Sequence, residues 1–293
     1  MKRQTQAYLY ALSAVLLWST VATAFKLSLE NFSYLQLLFY SVLTALLVLF
    51  VLLIANGELA KLKSQSKKDW AISILSGGLN PFLYYLVLFK AYELLPAQEA
   101  LSLNYSWAVM VVIFSIIFLK QKINLIGIGG ILLSFFGLLL IATKGNLLSL
   151  NFSNPLGTAL AFGSSLIWAT FWIINLKDKR DVLVKLFLSF AAGFVFIAIY
   201  IVITGTPLGI SETSGLLAAV YVGLFEMGVT FVVWLKALKL SENTAKVSSL
   251  IYLSPFLSLN LINIILGEKI LISTIIGITL IIGGILIQKI KVR

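Results

Sequence analysis

Apolar runs closed off by charges or turn residues recur along the whole chain. They fall at about 7 to 26, 34 to 55, 70 to 90, 97 to 119, 124 to 142, 155 to 175, 182 to 204, 214 to 236, 243 to 266 and 271 to 289. Each is long enough to cross the hydrocarbon core as a helix, which takes roughly 20 residues. The pattern therefore predicts an all-α polytopic membrane protein of about ten transmembrane helices. The first run follows Lys2 and Arg3 as a signal peptide would, but it contains Trp18 and ends without a small-residue cleavage site, so it reads as a retained first helix.

Composition agrees. Of the 293 residues, 60% are hydrophobic and 11% charged, with a mean hydropathy of +1.03, more apolar side chain than a water-soluble core of this size could cover. Ten spans leave roughly eight residues for each connection, too few for an extramembrane domain. There is no cysteine and no histidine, which removes disulfides, haem, iron–sulfur clusters, almost every zinc site and all His-based triad chemistry. No cofactor is implied.

The net charge of +11 would suggest nucleic acid in a soluble protein, but in a membrane protein Lys and Arg mark the cytoplasmic loops. With the N-terminus inside, the inner segments hold Lys2, Arg3, Lys61, Lys63, Lys67, Lys68, Lys120, Lys122, Lys177, Lys179, Arg180, Lys185, Lys236, Lys239, Lys246, Lys289, Lys291 and Arg293, which is 18 of the 22 basic residues. Only Lys26, Lys90, Lys144 and Lys269 stay outside. Both termini are thus expected to be cytoplasmic in a cell (inner or plasma) membrane, and nucleic acid is not an expected partner. The loop NGELAKLKSQSKKDW reads as an orientation signal lying near anionic lipid.

An internal repeat of about 147 residues organises the chain. LLWSTVATAFK around Trp18 resembles LIWATFWIINLK around Trp168, and FKAYELLPAQEA from Phe89 matches WLKALKLSENTAK from Trp234 with one gap. GILLSFFGLLLI from Gly130 overlays GITLIIGGILIQ from Gly277, and KQKI ending at Ile123 matches GEKI ending at Ile270. The halves, 1–145 and 152–293, hold five spans each; an odd number makes the second copy enter the membrane from the opposite side, an inverted repeat.

A Trp-bearing first span closed by FKLSLE, LSPF in span nine, GEKI after it and a Gly-rich last span resemble the drug/metabolite transporter superfamily, in particular its EamA-type ten-helix members. The resemblance covers essentially the whole chain. It implies two inverted five-helix halves around a central cavity lined mainly by the first, third and fourth helix of each half, and, for many relatives, export of metabolites or amino acids. One departure stands out: many relatives carry an Arg in the second span, where this chain has LLFYSVL around Tyr40, so no role resting on that Arg carries over.

Glu226 is the strongest chemical signal, a carboxylate midway along span eight in VGLFEMGVTFVVW. At that depth it needs a partner or water, and burial favours its neutral form, which suits proton coupling or binding of a substrate amine. The alternative is an acid held protonated as an interhelical hydrogen-bond donor. Helical spacing puts Gly223, Glu226 and Thr230 on one stripe. The opposite repeat has Asn80 and Pro81 near the same depth, where proline frees carbonyls that must find a cavity or a side chain, with Tyr84 one turn on. A plain packing kink explains these residues equally well. Pro255 is the matching irregularity in span nine.

Aromatic and amide residues form a second set. Ser164, Trp168, Trp172 and Asn175 share one face of span six; Ser19, Thr20, Thr23 and Lys26 share a sector of span one; span four adds Asn104 and Trp107 with Tyr105, whose repeat mate is Tyr252. These would offer π-faces and amides to a cationic or aromatic substrate, or, for the tryptophans near span ends, serve as interfacial anchors. Lys26 with Glu30 and Lys90 with Glu93 read as solvated turn charges before gate pairs. Glu99 follows Pro96 just inside span four, and Glu268 with Lys269 reads as a capping and loop element. Small residues at Gly77, Gly78, Gly127, Gly129, Gly130, Gly277, Gly283 and Gly284 would let helices approach closely.

The sequence has no phosphate loop, no Asp-rich magnesium cluster, no GxSxG elbow and no S4-type arginines, which argues against a cis ATPase, a prenyltransferase, a serine hydrolase and a voltage sensor. The expected function is secondary transport, by alternating access, of a small metabolite such as an amino acid, with export the favoured direction and protons or the substrate gradient as the energy source. The rival is a non-transporting membrane scaffold or assembly protein that keeps the repeat as architecture, with an intramembrane enzyme a distant third.

Overall fold

The computed structural model describes residues 3–120, 125–147, 153–241, 247 and 249–288, and among these the regular structure is helical throughout. Lys2, Lys122, Ile123, Lys246, Lys289, Lys291 and Arg293 of the sequence reading, and the beginning of span nine as expected, lie outside the described residues. The helices are α1 (Arg3–Leu29), α2 (Tyr34–Ala55), the short α3 (Ala60–Lys63), α4 (Lys67–Gly77), α5 (Tyr84–Leu94), α6 (Ala97–Asn104), α7 (Trp107–Leu119), α8 (Leu125–Ala142), α9 (Pro155–Lys177), α10 (Val182–Thr204), α11 (Thr213–Val222), α12 (Val229–Leu240), α13 (Ser254–Leu266) and α14 (Ile272–Gln288). Among the described residues eight helical stretches are long and apolar enough to span a membrane, and Leu250–Leu266 and Ile272–Ile287 are shorter apolar ones. The chain is an all-helical polytopic membrane protein.

Local sequence explains most helix ends. Ser33 and Gln36 close a capping box at α2, and Ser66 with Asp69 does so at α4. Asn154 accepts from the Gly157 N–H ahead of Pro155, which sits in the first turn where its missing N–H costs nothing. Asp181 caps α10 through the Leu183 N–H at 3.0 Å, and Gly205, at a φ of 62°, takes the left-handed turn that ends that helix.

The chain forms two compact units. The first comprises Met1–Phe82 and Arg180–Leu266, and the second Leu83–Lys179 and Gly267–Arg293. Each draws on both sequence halves.

In the first unit α4 packs on α10, and α11 on α2, at glycines. A Cβ on Gly77 would lie 2.3 Å from the Ser189 carbonyl oxygen, and one on Gly223 would lie 2.4 Å from that of Ser41. Either would push the helices apart. In the second unit α8 and α14 lie face to face in the same manner. A Cβ on Gly137 would meet the Gly277 carbonyl oxygen at 2.5 Å, one on Gly284 would meet that of Gly130 at 2.3 Å, and between these contacts the Ser134 hydroxyl donates to the Ile281 carbonyl at 3.1 Å. Gly129 and Gly283 differ from expectation: a Cβ at either would meet nothing within 4 Å, so they serve no close helix approach.

Several spans are interrupted. Between α4 and α5 the chain runs through a π-turn, Gly78–Leu83, with Asn80 at a non-helical φ of −146° and ψ of 120° and a cis bond to Pro81. Span eight carries a second π-turn, Gly223–Gly228, between α11 and α12. Span four, expected to be continuous, breaks at Tyr105 and Ser106 between α6 and α7. The described part of span nine is a 3-10 stretch, Ser249–Leu253, followed by α13, with Pro255 in the first turn of α13 beside that change of helix type.

Candidate functional site

In the first unit the polar sector of α1 meets span eight. Thr20 donates back to the Leu17 carbonyl at 2.6 Å and its hydroxyl lies 2.7 Å from that of Tyr221, a residue the sequence reading missed because its partner is 201 positions away. Thr23 is 3% exposed, and its hydroxyl has no hydrogen-bond partner among the described residues. Trp18 is packed inside the unit, its ring edge-on to Phe231 at 5.7 Å and tilted on Trp234 at 5.5 Å, and its indole N–H donates to the Glu226 carbonyl oxygen at 3.3 Å.

Glu226 itself is half-buried within the Gly223–Gly228 π-turn. The wide turn alters the stripe expected from α-helical spacing. Gly223 packs on α2 at Ser41 and Thr44, whereas the Glu226 backbone is bonded to α1, and the buried Thr230 hydroxyl reaches the carbonyl of Phe225, five residues back. An i to i+5 turn has more than four residues per revolution, so residues three and four apart no longer stack. Asn80 is 1% exposed at the other π-turn, and its side-chain oxygen has no partner among the described residues. A polar atom left so in a bilayer costs several kcal/mol unless a ligand or water meets it. Tyr252 is half-buried in the 3-10 stretch of the same unit.

In the second unit α5, α6 and α9 bring four predicted residues together. The Tyr84 hydroxyl donates to Asn104 Oδ1 at 3.3 Å, Asn104 Nδ2 donates to Ser164 Oγ at 2.8 Å, and Ser164 donates to the Ala161 carbonyl at 2.7 Å. Trp168 stacks on Tyr84 with centroids 4.6 Å apart and on Phe171 at 5.5 Å, and meets Trp172 edge-on at 6.2 Å. The Trp172 indole nitrogen is buried without a partner among the described residues. Such a wall offers ring faces and one unspent donor. Trp107, the first residue of α7, and Asn175, near the end of α9, are half-buried and stand outside this chain of hydrogen bonds.

Several charged groups near the helix ends are paired. Glu99 is 2% exposed, accepts from Ser153 Oγ at 2.7 and 2.9 Å and lies 3.4 Å from Lys144 Nζ. Lys90 pairs with Glu93 three residues on in α5. Arg180 donates to the Asp69 carbonyl and to Ser73 Oγ, each at 3.0 Å, tying the start of α10 to α4. That contact spans more than a hundred residues, and nothing in the sequence flags it. Among the described residues no three Asp or Glu side chains gather as a metal site would require.

The chain matches the model of the EamA-like transporter family twice, over residues 5–143 and 155–288. It is 25% identical over 290 residues to an uncharacterized transporter of Archaeoglobus fulgidus, covering 98% of each chain, and 25% identical over 258 residues to the uncharacterized transporter YvbV of Bacillus subtilis, covering 87% of this chain and 83% of that one. One crystal structure superposes with a TM-score of 0.68, covering 98% of each chain at 24% identity, a likeness of fold alone. With the family model matched over nearly its whole length, the chain belongs to the EamA-like transporter family and is a membrane transporter of small molecules.

Proposed function

We propose that this transporter moves a small neutral or amphiphilic metabolite, such as an amino acid, out of the cell by alternating access, driven by protons or by the substrate's own gradient. One observation carries the reading: four spans leave the α-helix at corresponding positions of the two sequence halves. The π-turns Gly78–Leu83 and Gly223–Gly228 are 145 residues apart, and the break at Tyr105 has its counterpart at Tyr252, 147 residues on. Broken helices in matching positions of inverted halves are where secondary transporters build their binding sites, because unwound backbone is tolerated at membrane depth only beside protein or a water-filled cavity.

Helix packing supports the inverted relation. Contacts 137 to 277 and 130 to 284 exchange under a shift of 147 residues, and Ser134, bonded to Ile281, lies opposite its own mate. Gly77 against Ser189 and Gly223 against Ser41 exchange in the same way with shifts of 146 and 148. In this reading Glu226 is the proton or amine site of the first unit, where Asn80, Thr20, Thr23, Thr230 and Tyr252 are further substrate contacts, and in the second unit Tyr84, Asn104, Trp107, Trp168, Trp172 and Asn175 offer aromatic and amide surface. The test is a growth-rescue and efflux screen over amino acids and related metabolites in cells overexpressing the chain, followed by flux in proteoliposomes. Concentration-dependent flux of one compound class supports it; inert vesicles across the panel overturn the proposed substrate class.

A further inference from the structure

The outer end of the second unit, in the proposed orientation, holds a reciprocal pair of caps. Glu268 accepts the Ala97 N–H at 2.8 Å and the Gln98 N–H at 3.2 Å, satisfying two of the open donors at the start of α6. Gln98 answers across the gap: its Nε2 donates to the Lys269 carbonyl at 2.9 Å, and its Oε1 accepts the Leu271 N–H and the Thr274 hydroxyl, each at 3.1 Å, where α14 begins. Each side chain thus caps the other's helix. Gln98 is 5% exposed, so little water competes for these bonds.

What this does depends on α6 being short. It runs only from Ala97 to Asn104, where a hydrogen-bonded turn at Tyr105 and Ser106 joins it to α7. Eight residues make about two turns, too few to hold a helix by propensity alone. Its outer end is held by Glu268 and Gln98 and its flank by Glu99 with Ser153, while its inner end carries Asn104 against Tyr84 and Ser164. We infer that Glu268 is a positioning residue: by clamping the first turn of α6 it sets where Asn104 sits, two turns further on. The functional consequence rests on the reading of Asn104 as a substrate contact; the positional one does not.

The experiment needs no substrate. Asn104→Cys with Ser164→Cys, in a chain with no other cysteine, puts thiols where atoms now lie 2.8 Å apart, and the rate of copper-phenanthroline cross-linking in membranes reports the register of α6 on α9. Asn31→Cys with Ser214→Cys, whose amide nitrogen and hydroxyl lie 3.3 Å apart in the other unit, reports whether the fold at large persists. Adding Glu268→Ala should slow the first cross-link about tenfold and leave the second unchanged. Glu268→Gln, which keeps one acceptor oxygen, should fall between. An unchanged first cross-link overturns the inference. Equal slowing of both pairs overturns it too, by making Glu268 a general stability residue, as does a Gln variant no better than Ala.

Discussion

At the scale of single residues, Glu226 is the hardest to explain as packing. It is half-buried within a π-turn, and its backbone carbonyl accepts the Trp18 indole N–H. Glu226→Gln should fold and insert like the parent, retain exchange of the metabolite found by the efflux screen, and lose accumulation driven by an imposed pH difference in proteoliposomes. Pumping at the parental rate would make Glu226 structural, and loss of exchange as well would make it a substrate contact. Asp181 is a second case, outside the spans. Burial pushes its pKa up, but the Leu183 N–H and Lys61 outweigh this and hold it below the ordinary 3.8, while Glu58 above all and then Asp181 raise Lys61 above 10.5. A lowered carboxylate stabilises the fold above its unfolded pKa and loses that contribution as pH falls through the folded value; a raised lysine contributes below 10.5 and loses it as pH rises through its folded value. Asp181→Asn keeps the cap of α10, so in thermal unfolding in detergent its deficit should be level between those limits and disappear as pH falls through the lowered folded pKa of Asp181. Asp181→Ala, which also loses the cap, should add about 1 kcal/mol at neutral pH.

At the scale of elements, glycines divide by what a methyl would meet. Gly77→Ala and Gly284→Ala would put a carbon 2.3 Å from backbone oxygens that have no room to give, so each should lower stability by about 1–3 kcal/mol. Gly129→Ala and Gly283→Ala meet open space and should be neutral or stabilising by up to about 1 kcal/mol, the difference in helix propensity. Thermal unfolding of the four variants by fluorescence-detected gel filtration measures this; equal losses in all four would make their shared role one of helix dynamics instead of approach. The sequence revealed that the last spans are Gly-rich. It could not divide Gly283 from Gly284, because which side of α14 meets α8 is set by how the two helices rotate against each other.

At the scale of the whole molecule, the distribution of basic residues, 18 against 4, makes cytoplasmic termini the expected orientation. Single cysteines at Ser64 and Asp178 should resist a membrane-impermeant thiol reagent in intact cells, and those at Ser211 and Thr206 should react. The reverse pattern would invert the topology. By itself the sequence determined the membrane class, the positions of the spans and the family, because burial in lipid demands unbroken apolar runs and every backbone polar group satisfied within its own helix. The expected spans 34 to 55 and 182 to 204 coincide with α2 and α10. The sequence also marked Pro81 as a break, since a missing N–H is a local fact. Tertiary structure alone decided the rest. Span eight contains no proline, yet Gly223–Gly228 opens into a π-turn while Gly223 lies against Ser41 on one side and the Glu226 carbonyl takes the Trp18 indole N–H on the other, partners 182 and 208 residues away. Likewise Tyr84, Asn104, Ser164 and Trp168 each read as a polar or aromatic residue on its own helix. Only the packing of α5 and α6 on α9 made them one hydrogen-bonded wall, because hydrogen bonds and ring stacking act over a few ångströms, whatever the separation along the chain.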